Sequence, residues 1–234
     1  MAVQLEAVAF EVADAVATAS FWAALLDREI VTEVGGALVP GDATQIGLRF
    51  VTADSVQVGK PRLHLHVTTA SLDDQRSTVE TALQAGGRQL DVGQGPDVPF
   101  VVLADPAGNE LCVIEPGDRY LAGAGRLGEV TCDGTRAVGL FWRDALGWPL
   151  VLDEEEQTAV QSPRAGTKIA WESWRVDSPA PPESRRRQRF DLVSSNPAAD
   201  ADRLVALGAE RPRAAADGIE LADPGGDVFV LRAG

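Results

Sequence analysis

Four side chains in the first half of this chain could do chemistry together: His64, His66, Glu110 and Cys112. His64 and His66 stand two apart in the segment Lys60-Pro-Arg-Leu-His64-Leu-His66. On a strand that spacing puts both imidazoles on one face. Glu110 and Cys112 share the same spacing in Glu110-Leu-Cys112-Val. If both pairs face one cavity, two imidazoles, a carboxylate and a thiol converge, a set that zinc accepts. Cys112 could instead be a nucleophile with His64 or His66 as its base, although a strand cysteine in an apolar stretch is more often a small buried hydrophobe. The second half offers a different set. Trp171, with Glu172 and Asp191, would make an aromatic wall with carboxylates, suited to a flat or cationic ligand. Trp171 and Trp174 have odd spacing, so only one of them can face a cavity.

The elements that must hold these groups come in two copies. Phe21-Trp22-Ala-Ala-Leu-Leu-Asp is echoed by Phe141-Trp142-Arg-Asp-Ala-Leu-Gly, and Leu103-Ala-Asp105-Pro106-Ala-Gly108-Asn109 by Leu221-Ala-Asp223-Pro224-Gly-Gly226-Asp227. The markers keep their order, which divides the 234 residues into copies at 1–117 and 127–234 joined by a Gly-containing linker at 118–126. Leu5–Val12 alternates as a strand, and Asp14 can cap a helix whose face is Phe21, Trp22, Leu25 and Leu26. Short strands follow, then a strand through His64 and His66, then a helix capped by Ser71 and stopped at Gly86-Gly87. Each copy therefore reads β-α-β-β-β twice, an α+β arrangement. Trp22 and Trp142 are expected to pack helix against sheet. The Pro-rich segment Val176–Ser184 reads as a loop, and Arg185-Arg186-Arg187 as a solvated run rather than a binding patch.

Composition excludes several partners. The formal net charge of -14 repels phosphate backbones, so nucleic acid is not expected. No apolar run approaches the roughly 18 residues of a membrane span, and no signal-peptide pattern opens the sequence. Two cysteines, Cys112 and Cys132, form no disulfide framework, which points to a reducing cytoplasm.

The helix-borne Phe-Trp-x-x-x-Leu, the Asp-Pro-x-Gly-Asn turn and the Leu-His-Leu-His segment resemble the vicinal oxygen chelate superfamily, the glyoxalase, bleomycin-resistance and extradiol-dioxygenase group. The last segment is similar to the Lys-Asn-Arg-Leu-His-Leu-Asp of its glyoxalase-like branch. The resemblance implies two tandem glyoxalase-like domains of paired β-α-β-β-β modules, each pair forming a curled mixed sheet around a cavity. It also implies metal ligands on the first, fifth and eighth strands. Counted along copy one, these fall near Ala7, at His64 and at Cys112. In copy two they fall near Val130, Arg189 and Val230. Arginine is no ligand at neutral pH, so copy two lacks the site and copy one keeps a fragment of it. The expectation is a protein without cofactor or metal, His64, His66, Glu110 and Cys112 being the sole candidates to hold one. Its cavity would bind a small organic molecule through His64, His66, Glu110, Cys112, Trp171 and Asp191, the last aligned with His66. The alternatives are a metal-dependent lyase or isomerase of the glyoxalase kind using copy one, and an interaction domain without a small ligand. Fusion of the copies implies a monomer with a pseudo-twofold axis.

Overall fold

In the computed structural model, residues 3–54, 62–95, 97–173, 187–211, 214–215 and 218–234 are described. Trp174, the Pro-rich segment, Arg185 and Arg186 lie outside them. Four β-α-β-β-β modules follow one another. The first is β1 (Gln4–Val12), α1 (Ala15–Leu26), β2 (Val31–Glu33), β3 (Gly36–Val39) and β4 (Gly47–Thr52). The second is β5 (Leu63–Val67), α2 (Leu72–Gln84), β6 (Arg88–Gln89), β7 (Val101–Ala104) and β8 (Glu110–Val113). The third is β9 (Leu127–Asp133), α3 (Arg136–Leu146), β10 (Leu150–Asp153), β11 (Gln157–Gln161) and β12 (Lys168–Glu172). The fourth is β13 (Gln188–Ser194), α4 (Pro197–Ala206), β14 (Ala214–Ala215), β15 (Gly218–Ala222) and β16 (Val228–Ala233).

Local chemistry starts and stops the helices as the sequence implies. The Asp14 carboxylate accepts from the Ala17 N–H, and the Ser71 hydroxyl from the Asp74 N–H, each satisfying a donor the first turn leaves orphaned. Asn196 does the same for α4, whose first residue is Pro197. Thr135 sits at the equivalent point of α3 but makes no side-chain cap.

The modules pair into two mixed sheets of eight strands, and each pair draws one module from each copy. Modules one and four form the order β14-β15-β16-β13-β1-β4-β3-β2, here the terminal sheet. Modules three and two form β10-β11-β12-β9-β5-β8-β7-β6, the central sheet. The junctions are antiparallel: β1 lies on β13 with Ala7 opposite Asp191, and β5 lies on β9 with His66 opposite Glu129. Superposing the junctions makes Ala7 the counterpart of Glu129, Ala9 of Thr131, Asp191 of His66 and Arg189 of His64.

The two repeated sequence markers touch each other. The Trp22 indole N–H donates to Asp105 Oδ2 at 3.0 Å, and Trp142 donates to Asp223 Oδ2 at 3.0 Å. The remaining lone pairs of Asp105 accept from the backbone of Ala107 and Asn109 and from the Asn109 amide. Gly108 and Gly226 turn these loops with φ of 86° and 82°, a region glycine enters without strain. Burial pushes the Asp105 carboxyl up, while the Asn109 and Trp22 donors oppose that shift. The helix of one module is thereby tied to the final turn of the next. One module of each copy belongs to the terminal sheet and the other to the central sheet, so this clamp holds the sheets together. The apolar core is continuous between them: Trp142 meets Phe190 and Phe229 of the terminal sheet edge-on, and stacks on Trp171 of the central sheet with centroids 6.4 Å apart and planes 7° apart.

Candidate functional site

The site is built on the face of the central sheet opposite the helices. Strand periodicity brings His64 and His66 of β5 to that face, and the β5–β8 register places Cys112 beside His66. His66 Nε2 lies 2.9 Å from His64 Nε2, and His66 Nδ1 lies 2.9 Å from Glu129 Oε2. Glu129 is buried and held from two more sides: Tyr120 donates to Oε1 at 2.7 Å and Thr131 to Oε2 at 3.1 Å. Lys168, its register partner on β12, lies over the Tyr120 ring at 3.9 Å from the centroid and donates to the Tyr120 carbonyl. A cavity of about 220 Å³ opens over the histidines. Its polar end is His64, His66, Glu110 and Cys112, and its wall includes Phe100, Val102 and Ile114.

Electrostatics follow from this packing. Burial alone would lower the His66 pKa, but Cys112 and Glu129 outweigh it and carry it up to about 10. The protonated ring then donates from Nδ1 to Glu129 and from Nε2 to His64. Burial raises the Glu129 carboxyl, yet His66, Tyr120 and Thr131 together bring it below the usual carboxylate range. Burial first, and then Glu129, push the Tyr120 phenol far up.

Of the six residues expected to bind a ligand, the structure brings together His64, His66, Glu110 and Cys112. Trp171 and Asp191 are corrections. Trp171 is 2% exposed and lies on the helix side of β12, stacked on Trp142. The registers make it the counterpart of Phe50 on β4, which is likewise buried. Asp191 is fully buried in the other sheet, where its oxygens meet Arg49 at 2.6 Å, Arg232 at 2.5 Å and Arg189 at 3.4 Å. Glu129, Tyr120, Thr131 and Lys168 were not singled out by sequence reasoning. The signal for Glu129 was its place at the head of the copy-two first strand, visible only once β5 is known to pair with β9. Arg187, expected in a solvated run, reaches the Asn109 amide oxygen at 3.2 Å.

A second groove, of about 360 Å³, runs past Leu5, Asp42, Trp148 and Arg164. Its Asp42 carboxylate is taken up by the N–H groups of Thr44 and Gln45, so it lacks the clustered reactive groups of the central-sheet cavity.

A family model described as "Glyoxalase-like domain" matches residues 7–114 and again 129–232. The chain belongs to the glyoxalase-like domain family. Two solved structures share the fold over nearly the whole chain. Glyoxalase I from Zea mays is 13% identical with a TM-score of 0.65, covering 98% of this chain and 92% of that one. A putative dioxygenase from Bacillus subtilis is 12% identical with a TM-score of 0.61, covering 99% of this chain and 85% of its own. None of the curated proteins matches the sequence. At these identities the likeness carries the fold alone.

The metal that the glyoxalase-like fold implies can be tested on the donors present. The set counted along copy one fails, because Ala7 has no donor and lies in the terminal sheet, away from His64 and Cys112. The central sheet offers another set. His64, His66 and Cys112 place one ligand atom each within 4.8 Å of one another. Two imidazoles and a thiol fit zinc and do not fit the oxygen-seeking cations.

Proposed function

We propose that this glyoxalase-like protein binds a small organic molecule in the central-sheet cavity. The observation that carries the reading is the cavity itself: apolar walls of Phe100, Val102 and Ile114 lead to a polar end of His66, Glu110 and Cys112. That division suits a compact ligand with one polar head, because the walls supply desolvation and the few polar groups supply orientation. The terminal sheet supports no such reading at the equivalent positions, where Asp191 is filled in by arginines. A second reading, a lyase or isomerase of the glyoxalase kind, is favoured by the clustered donors of His64, His66 and Cys112. A bound metal would supply polarisation of a substrate oxygen, and Glu110 at the cavity wall is the carboxylate within reach of such a substrate. Binding of an organic molecule is common to both readings.

The test is native mass spectrometry for co-purified ligand, followed by calorimetry with the compound identified. Val92, at the cavity and half exposed, offers a way to narrow the mouth without disturbing the core. Val92→Trp is expected to weaken binding at least tenfold with an unchanged melting temperature. Unaltered affinity in that variant would place the ligand elsewhere and sink the reading. The pseudo-twofold pairing of the copies supports a monomer, and a dimeric mass in light scattering would contradict it.

A further inference from the structure

We propose that the groove past Leu5, Asp42, Trp148 and Arg164 is a second binding site, one that takes a guanidinium or a similarly flat cation. This groove shares no lining residue with the central-sheet cavity, and it has a counterpart across the pseudo-twofold axis. The strand registers make Gln45 the counterpart of Gly166, Ile46 of Thr167 and Pro40 of Gln161. The C-caps of α1 and α3, Asp27 and Gly147, make Arg28 the counterpart of Trp148. The two residues also share one backbone bond, from the Arg28 N–H to the Ala23 carbonyl and from the Trp148 N–H to that of Arg143. On the copy-one side the space is full. The Arg28 guanidinium donates to the Ile46 carbonyl at 2.9 Å and to Gln45 Oε1 at 3.1 Å. The Gln45 amide accepts from the Leu127 N–H at 2.9 Å and donates to the Ala124 carbonyl at 2.8 Å. On the copy-two side both fillers are gone. Gly166 has no side chain, and a Cβ there would collide with the Thr44 carbonyl. Trp148 puts a ring where Arg28 puts a guanidinium. The groove of about 360 Å³ is what remains.

The lining suits a cation. In the counterpart, the fold itself seats a guanidinium between a helix end and the loop that follows β3. Leu146 and Gly147, which line the groove, end α3, where the helix dipole is negative. Arg203 takes the Asp144 and Ala145 carbonyls of the same turn, so this helix end already attracts one guanidinium. All three described hydrogen bonds of Asp42, from Thr44 and Gln45, fall on Oδ1, and Oδ2 accepts from no described residue. Led by the Thr44 N–H, they hold the Asp42 carboxyl below its ordinary value. The indole N–H groups of Trp22 and Trp142 are clamped by aspartates, whereas that of Trp148 donates to no described residue. A tryptophan face is the best aromatic partner for a flat cation. Val3, Leu5 and Ile46 complete the lining and would cover a short alkyl stem. Arg164 is the one cation among the described lining residues; it is exposed, so solvent screens its repulsion. The net charge of -14 draws cations toward the surface as a whole.

The experiment uses the full chain, isotope-labelled and followed by nitrogen–proton NMR, with ethylguanidinium as the probe. Of the five tryptophan indole signals one is expected to move saturably, and Trp148→Phe should remove that signal. Ala43→Trp, at an exposed loop position on the lining, should weaken binding at least tenfold with an unchanged melting temperature. Trp148→Leu should weaken it comparably, and Arg164→Gln should tighten it. Should Trp148→Leu not fold, Ala43→Trp decides the matter. Propionate, of similar size and opposite charge, should leave the signal in place. A shift with propionate and none with ethylguanidinium would make the groove an anion site and overturn the proposal. A shift reproduced by sodium chloride at equal ionic strength would overturn it too. So would a shift abolished by Val92→Trp, which would put the probe in the central-sheet cavity. Gly-Arg-Gly as a second probe separates two sources of the same group. Tighter binding than ethylguanidinium assigns the site to an arginine of a peptide, and equal or weaker binding to a free guanidino compound.

Discussion

The terminal and central sheets put different chemistry at the same strand positions. In the central sheet β9 carries Glu129 and Thr131 on the site face, and β12 carries the small Ala170 beside Thr131. In the terminal sheet the sizes are exchanged: β1 carries Ala7 and Ala9, and β4 carries Arg49 beside Ala9. Two alanines leave room for the Arg49 side chain to cross β1 and reach Asp191 on β13 at 2.6 Å. Once there it also meets Glu6 and Glu33, while Arg189 and Arg232 close on the same aspartate. One sheet thus keeps its polar groups beside a cavity, and the other neutralises them against each other. Duplication supplied two equivalent faces, and the exchange of one large residue for two small ones turned one of them into internal packing.

The largest effect expected from breaking this contrast is in the terminal sheet. Asp191→Ala would leave buried arginines without their shared counter-charge, a loss of about 3–5 kcal/mol by chemical denaturation. His64→Ala in the central sheet, which removes a member of a cluster beside a cavity, should cost clearly less. Equal costs would mean that both faces are structural. Next come the clamps, which should not distinguish the copies. Trp22→Phe and Trp142→Phe each leave a buried carboxylate short of one donor, and each should lose roughly 1–3 kcal/mol. A large inequality would show that one copy carries the stability of both. The helix caps give a smaller difference. Asp14→Ala should cost roughly 1 kcal/mol, whereas Thr135→Ala should cost little, because its hydroxyl caps nothing. The smallest effect concerns α4. Burial raises the Asp200 carboxyl, but Ser194 and Arg203 more than offset it and hold it below the ordinary value. A carboxyl depressed in the folded state stabilises above its unfolded pKa, and that contribution fades as pH falls through the folded pKa. The stability gap between wild type and Asp200→Asn should accordingly be open at neutral pH and close in acid. A gap that widens in acid would contradict the depressed carboxyl.

Much of this architecture is legible in the sequence, because it depends on local rules. Asp14 and Ser71 announce helix starts, the alternation of Leu63 to Val67 announces a strand with both imidazoles on one face, and the paired markers announce the repeat. The markers even foreshadow a contact, although nothing in their spacing says that Trp22 donates to Asp105. What the sequence does not display is which first strand lies beside which. Periodicity assigns a residue to a face and says nothing about the neighbouring strand, so the missing donor was sought at Ala7, one sheet away from Glu129. The same blindness placed Asp191 and Trp171 in a cavity. Trp171 shares its face of β12 with Ile169, and nothing in the spacing says that this is the face the helices cover.

The segment between the copies looks like a spacer by composition, yet it is anchored at several points. Arg126 donates to the Thr68 carbonyl and the Thr78 hydroxyl, Gln45 donates to the Ala124 carbonyl, and Tyr120 enters the site itself. Because every sheet takes one module from each side of this segment, cutting it would produce two fragments that each expose two first strands along one edge, β1 and β5 in one, β9 and β13 in the other. Each fragment keeps only four-stranded halves, whose open edges complete each other. The chain therefore behaves as a permanently tethered heterodimer, in which the tether raises the local concentration of the partner and contributes a tyrosine to the contact it enforces.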